Sequence, residues 1–226
     1  GIITHPLDLW LLGRLSDTVT KATASMEKYE YANAFRAAED FFWSDFCDNY
    51  LELVKYRVRD IGEEPKAEER SAQHTLLHAV RAVLRLFAPL MPYVTETTSQ
   101  AFILPGDNPE GIHARGNWPK AADLPAPDTN RDIGQAVVEI VAGMRKVKSN
   151  LGVSMRTEVQ TLHVWPLEGD ADALAKLVEP ATRDLLETST AHEIVFKAPA
   201  DADIPMAETP AGTLNVALVI TPSDDA

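Results

Sequence analysis

The chain has 226 residues, of which 45% are apolar and 24% charged, a balance that excludes disorder or a fibrous repeat and suits one large domain or two small ones. Its net charge of −13, from 21 basic and 34 acidic residues, counts as a whole against a nucleic-acid binder, because phosphate requires Lys and Arg. Residues 157–226 hold −10 of that charge and residues 1–156 only −3, so local basic faces remain open upstream.

Helix dominates the first half. From Leu7 to Tyr29, the residues Leu11, Leu15, Val19, Ala22, Met26 and Tyr29 recur in steps of three and four, one apolar stripe on the helical period. A second stripe runs through Phe35, Ala38, Phe42, Phe46, Asn49 and Leu53. No Gly or Pro interrupts residues 31–61, which predicts one long helix, apolar on more than one side and central to a bundle. Gly62 to Pro65 should stop it, and the charged run Lys66 to Arg70 reads as an exposed loop. Ser71 is placed to cap a third helix carrying Leu77, Val80, Leu84 and Phe87. Pro89 and Pro92 then break the chain, and Pro92 suits the first turn of a fourth helix reaching about Phe102.

Residues 103–129 contain five prolines and three glycines, an irregular connection. Thr129 with Asp132 resembles a capping box. It would open a fifth helix with Ile133, Val137, Ile140, Val141, Met144 and Leu151 on one face. Val159 to Trp165 reads as a strand, Ala171 to Leu186 as a helix, and Ile194 to Phe196 as a short strand. Leu214, Val216, Leu218 and Ile220 alternate as in a half-buried strand. The expectation is a mainly α chain: a helical bundle over residues 1–156, with the irregular connection 103–129, followed by a small acidic α+β subdomain over residues 157–226.

Reactive constellations are hard to find. The 11 glycines build neither a G-x-x-x-x-G-K nor a G-x-G-x-x-G loop. His74 and His78 are spaced to share a metal on a helix, yet no third ligand is evident, so two ordinary helix histidines are expected. Cys47 is the one cysteine. It permits no internal disulfide, reads as a small buried hydrophobe, and fits a reducing, cytoplasmic setting. No stretch approaches the roughly 18 apolar residues that cross a bilayer, and Gly1 to Pro6 does not read as a signal peptide. Gly1 in place of Met points to a processed or excised chain. No active site and no metal site are read from the residues.

Five segments resemble, in the same chain order, the anticodon-binding region of the valyl-tRNA synthetases, a family of class I aminoacyl-tRNA synthetases. Phe41-Phe42-Trp43-Ser44-Asp45-Phe46-Cys47-Asp48-Asn49-Tyr50-Leu51-Glu52-Leu53-Val54-Lys55 is similar to that family's long helix. Asp8-Leu9-Trp10-Leu11-Leu12-Gly13-Arg14-Leu15 resembles its Asp-Arg-Trp-Ile-Leu-Ser-Arg-Leu helix start, with Leu9 replacing the usual Arg. Leu84 to Glu96 resembles its leucine-rich helix with paired prolines, although Thr97-Thr98-Ser99-Gln100 replaces the usual Glu-Ile-Trp. Ile112 to Pro119 resembles its Ser-Ile-His…Trp-Pro strand, and Lys146 to Ser154 the helix end that follows. The likeness covers roughly residues 7–165.

The resemblance implies a C-terminal piece that starts after the helix normally preceding Asp8. It lacks the family's His-Ile-Gly-His and Lys-Met-Ser-Lys-Ser signatures and its editing domain. The parent would join valine to its tRNA using ATP and Mg, with no cofactor in this portion. The portion itself would bind a tRNA with a valine-type anticodon and contact the missing catalytic body, with no membrane partner. Alternatives are a non-catalytic helical interaction scaffold and the same domain of an isoleucyl- or leucyl-type synthetase.

The candidate tRNA-binding residues are Trp10, Arg14, Arg36, Arg145, Lys146 and Lys148. Trp10 and Arg14 lie one helical turn apart, off the apolar stripe. They suit a base platform and a base or phosphate contact, or, for Trp10, packing in the bundle. Arg36 is a candidate of the same kind. Arg145, Lys146, Lys148 and Arg156 form an acid-free basic stretch that could touch the tRNA backbone or complement a helix C-terminus. Trp43 and Tyr50 read as core.

Overall fold

Pro6 occupies the first position of α1 (Pro6–Glu27), where its missing N–H is not needed, and the His5 ring Nδ1 accepts from the Leu7 N–H at 3.3 Å. The computed structural model describes residues 1–59, 64–103, 111–113, 118–124 and 130–220. In α1 the expected stripe is buried at Leu11, Leu15, Val19 and Ala22, half-buried at Met26 and lost at Tyr29, which lies past the helix and is exposed; Leu7, Trp10 and Leu12 are buried as well. The helix therefore needs neighbours on more than one side, and it packs against α2 (Tyr31–Asp40) and α4 (Ala67–Phe87). Beyond its C-cap, Lys28, the chain turns at Tyr29, whose φ is 61°. The Tyr29 N–H donates to the Met26 carbonyl and the Glu30 N–H to that of Ser25, the left-handed helix cap that Gly more often supplies.

The long helix expected over residues 31–61 changes winding midway. After α2, residues Phe41–Tyr50 form a π-helical segment, and α3 (Leu51–Arg59) follows without a break. The Leu51 N–H reaches back five residues to the Phe46 carbonyl. The wider turn brings rings four and five positions apart over one another. Phe46 stacks on Phe41, Phe42 and Tyr50 with centroids 6.5, 6.2 and 6.4 Å away. Phe42 and Phe35 in turn pack edge-on against Phe87 of α4. The expected stop at Gly62 lies outside the described residues.

The start of the third helix differs from expectation. The charged run 66–70 is not a loop beyond Lys66: α4 begins at Ala67. The Glu69 carboxylate accepts the Lys66 N–H at 2.8 Å, and acids in a first turn complement the helix dipole. Ser71 is consequently not a cap. It is buried, and its Oγ accepts the backbone N–H groups of Thr4 and His5 at 3.0 and 3.1 Å. Pro92 opens α5 (Pro92–Thr98), which continues as a π-helical segment, Ser99–Ile103. Of the strand expected near Ile112 to Pro119, residues 114–117 lie outside the described residues. Ile112 and His113 form a turn, and the Trp118 Nε1 donates to Thr23 Oγ1 at 2.8 Å.

The chain divides into two compact units: Gly1–Leu51 with Arg57–Asn130, and Glu52–Tyr56 with Arg131–Ala226. The boundary expected at 156/157 therefore moves to Asn130/Arg131. The reason is α6 (Arg131–Asn150), whose apolar face, including Val137, Ile140, Val141 and Met144, is buried and which packs on the strands of the second unit. Those strands are β1 (Val159–Pro166), β2 (Ala191–Val195), β3 (Met206–Glu208) and β4 (Leu214–Ile220), in the order β2-β1-β4-β3. β1 runs parallel to β2 and antiparallel to β4, which pairs antiparallel with β3.

The parallel pair requires a crossover. α7 (Ala171–Val178), a 3-10 turn, Glu179–Ala181, and α8 (Thr182–Ser189) supply it. Pro180 divides what periodicity suggested as a single helix. β3 was not expected at all; its three residues are too few to show alternation. Gly143 lets α6 approach the sheet, since a Cβ there would sit 2.6 Å from Val216 Cγ2. The Thr129 cap lies outside the described residues.

Candidate nucleic-acid interface

In the first unit, Arg14 projects from α1 toward the π-helical segment. Its Nε donates to Asp45 Oδ2 at 3.1 Å, and its Nη2 is 3.1 Å from the same oxygen. The side chains are 45% and 17% exposed respectively. A guanidinium has five N–H donors in a rigid fork, so this pairing fixes its plane and leaves donors over. Burial raises the Asp45 carboxyl above its ordinary 3.8, and the charge and hydrogen bond of Arg14 offset this only partly. The pair borders a groove of about 350 Å³ lined also by Asp17, Lys21, Asp40 and Ser44. Spacing alone could not reveal it, because Arg14 and Asp45 are 31 residues apart.

The other sequence candidates separate. Trp10 is 5% exposed, which places its ring in the bundle core, the second of its two readings. The physical reason is that α1 is enclosed on more than one face, so a position off the main stripe is still interior. Arg36 is exposed on α2. Trp43, expected in the core, is instead 56% exposed, whereas Tyr50 is fully buried as expected. Trp43 lies seven residues after exposed Arg36 and shares its face; a 3.6-residue wheel would put Tyr50, seven further on, there too, and the wider π turn between them swings Tyr50 inward.

Asp8, part of a motif that carried the family resemblance, is interior. Its Oδ1 accepts the Tyr50 hydroxyl at 2.9 Å and Arg57 Nη2 at 3.0 Å, and its Oδ2 accepts Arg57 Nη1 at 3.1 Å. Burial, then the charge of Asp8, pushes the Tyr50 phenol well above 10.0. This arrangement ties α1 to α3; it is not a binding surface.

In the second unit, Lys146 is exposed and its Nζ donates to the Glu208 carbonyl at 3.0 Å. Arg145 is half-buried and Arg156 exposed. Lys148 corrects the expectation of a backbone contact. It is 0% exposed, and its ammonium donates to the carbonyls of Met155, Thr157 and Ser189 at 2.9, 2.8 and 2.9 Å and to Thr190 Oγ1 at 3.1 Å. Burial lowers its pKa from 10.5. Lys148 falls on the buried face of α6 beside Met144 and Val147, so a charged stretch in the sequence contains an interior lysine.

His74 and His78 are half-buried. Burial, then Arg81 and His74, lowers the His78 pKa from 6.5. Cys47 is half-buried rather than interior, and burial and Asp48 raise its thiol above 9.0. Among the described residues, no three His, Cys, Asp or Glu side chains are grouped to hold a metal ion, and no helix is long and apolar enough to cross a membrane.

Comparison with known proteins bears on this surface. Residues 8–163 match the family model described as the anticodon-binding domain of tRNA ligase. The chain is 35% identical over 215 residues to a valine–tRNA ligase of Anaplasma marginale, covering 95% of this chain and 24% of that protein. It is 36% identical over 203 residues to one of Rickettsia prowazekii, covering 88% and 23%, and 36% identical over 162 residues to one of a Wolbachia of Brugia malayi, covering 72% and 18%. The chain thus spans about a quarter or less of the length of these relatives.

Proposed function

The chain belongs to the anticodon-binding domains of tRNA ligases, and we propose from this that it recognises the anticodon stem-loop of a tRNA as part of a longer valine–tRNA ligase. In that reading the whole enzyme attaches valine to a tRNA with ATP and Mg, in the cytoplasm. In this reading the ATP chemistry belongs to parts of the enzyme other than this chain, which matches an anticodon-binding domain and about a quarter of the relatives' length. The observation that carries the reading is the family match over residues 8–163. That the similar proteins are valine–tRNA ligases supports the valine assignment.

The groove beside Arg14 supports it. Anticodon bases are unpaired, so their edges are open to side-chain donors and acceptors. A partly exposed ion pair is worth little in water, so Arg14 can share its remaining donors with a base or a phosphate without dismantling the fold. Arg36, Arg145 and Lys146 supply positive charge for phosphates, which gives affinity without sequence information.

The test is binding of this chain to hairpins with valine-type and isoleucine-type anticodon loops. Tighter binding of the valine-type loop, weakened by Arg14→Ala, is expected. Equal affinity for both loops would overturn the valine assignment. Absence of binding to either would overturn anticodon recognition by this chain.

A further inference from the structure

We propose that the exposed indole of Trp43 is a stacking platform for one unpaired base of the bound RNA, at the rim of the groove that carries Arg14. The inference rests on the anticodon reading above and names a contact within it.

Trp43 is 56% exposed but anchored from behind. Its ring meets Phe42 edge-on at 5.0 Å, and Phe42 in turn packs against Phe46 and Phe87. One part of the indole is thus held by the core while the rest faces solvent. Ser44, its chain neighbour, and Asp40, three residues earlier, both line the groove. The platform stands on a π-helical turn, an uncommon winding that recurs at functional sites.

The neighbours on this face decide the kind of partner. Arg36, Glu39, Asp40, Ser44 and Asp48 are all exposed along it. Along its own helix the exposed neighbours of the ring are charged and polar rather than apolar, which suits a polar-edged planar base better than an apolar protein surface. Three carboxylates also make it a poor track for a phosphate backbone. A neutral planar base meets neither objection: its face stacks on the indole, and exocyclic amino groups can donate to the carboxylates. Arg36 lies two turns away, roughly 10 Å along the helix, within reach of a flanking phosphate.

The experiment measures hairpin affinity of the full 226-residue chain, of three Trp43 variants and of Arg14→Ala, over a salt series, with melting curves as the folding control. Trp43→Ala should weaken binding roughly 5- to 150-fold, the range for losing one base stack, with little change in salt dependence because no phosphate contact is lost. Trp43→Phe should retain most of the affinity. Trp43→Leu should behave like Ala, since it keeps apolar volume without a planar face.

Leu restoring affinity as well as Phe would overturn stacking and indicate apolar packing, as in a protein contact. Unchanged affinity of Trp43→Ala, with Arg14→Ala still weakening binding, would overturn the platform and leave the anticodon reading intact. No binding by the unaltered chain would overturn both.

Discussion

Replacing Lys148 by Met keeps most of the side-chain stem and removes the ammonium. The loss can be worked from its four partners. The Met155 carbonyl is held by Lys148. The carbonyls of Thr157 and Ser189 are each also within reach of the Thr190 hydroxyl. A hydroxyl has one hydrogen, so it can serve only one of the two, and Lys148 serves the other. The variant therefore strands about two carbonyls, at about 1–3 kcal/mol each. It also frees Thr190, a β-branched residue at φ 57°, from a contact that holds it in a conformation costing about 1–3 kcal/mol. The ammonium no longer has to be dehydrated, which offsets part of the loss.

A net loss of about 3 kcal/mol is expected, which lowers the melting temperature of a unit of about 100 residues by roughly 12–24 °C. The assay is thermal and urea unfolding of the full chain, with hydrogen exchange at the Val159 amide, which donates to the Thr190 carbonyl at 3.0 Å. Lys146→Met is the control; its exposed amine should matter by less than about 0.5 kcal/mol. A loss under about 1 kcal/mol for Lys148→Met, or equal losses for the two lysines, would refute the reasoning.

Two further outcomes follow from the first unit. Arg57→Met leaves the fully buried Asp8 carboxylate without its counter-ion and should cost about 3–5 kcal/mol in urea unfolding; a loss below about 1 kcal/mol would contradict the role of Arg57 as the partner of Asp8. Asp45 has a folded pKa above 3.8, so between 3.8 and that value the folded chain holds more protons than the unfolded one, and stability declines as pH rises through this window. Carboxyl NMR should place the Asp45 midpoint above 3.8 and higher still in Arg14→Met, and Asp45→Asn should remove the decline; a midpoint at or below 3.8 would contradict the burial argument.

Local chemistry was enough for the helices and main strands. Apolar spacing located α1, α4, α6 and β4, Pro92 set the start of α5, and alternation marked a half-buried β4, because these signals act over a few residues. Motif order supplied the family for the same reason: each motif is contiguous. The candidate surface was only half legible. Arg14 and Arg36 are surface residues as their positions suggest, but Asp45, the partner that fixes Arg14, is 31 residues distant.

Tertiary structure decided the rest. Trp10 is interior because α1 is enclosed beyond its obvious apolar stripe, which no single-helix pattern reports. Lys148 continues the apolar stripe of α6 four residues after Met144, and what the pattern does not report is the set of carbonyls, from Met155, Thr157 and Ser189, that receives its ammonium there. Trp43, seven residues after Arg36, keeps that residue's exposed face, whereas Tyr50, seven residues further on, is turned into the core because the helix winds as a π-helix from Phe41 to Tyr50. The division at Asn130/Arg131 arises because α6 finds its apolar partners on β3 and β4, tens of residues later in the chain. Composition and periodicity determine which residues seek burial; the pairing of distant surfaces determines where each one is buried, and hence which charges and rings remain to meet a ligand.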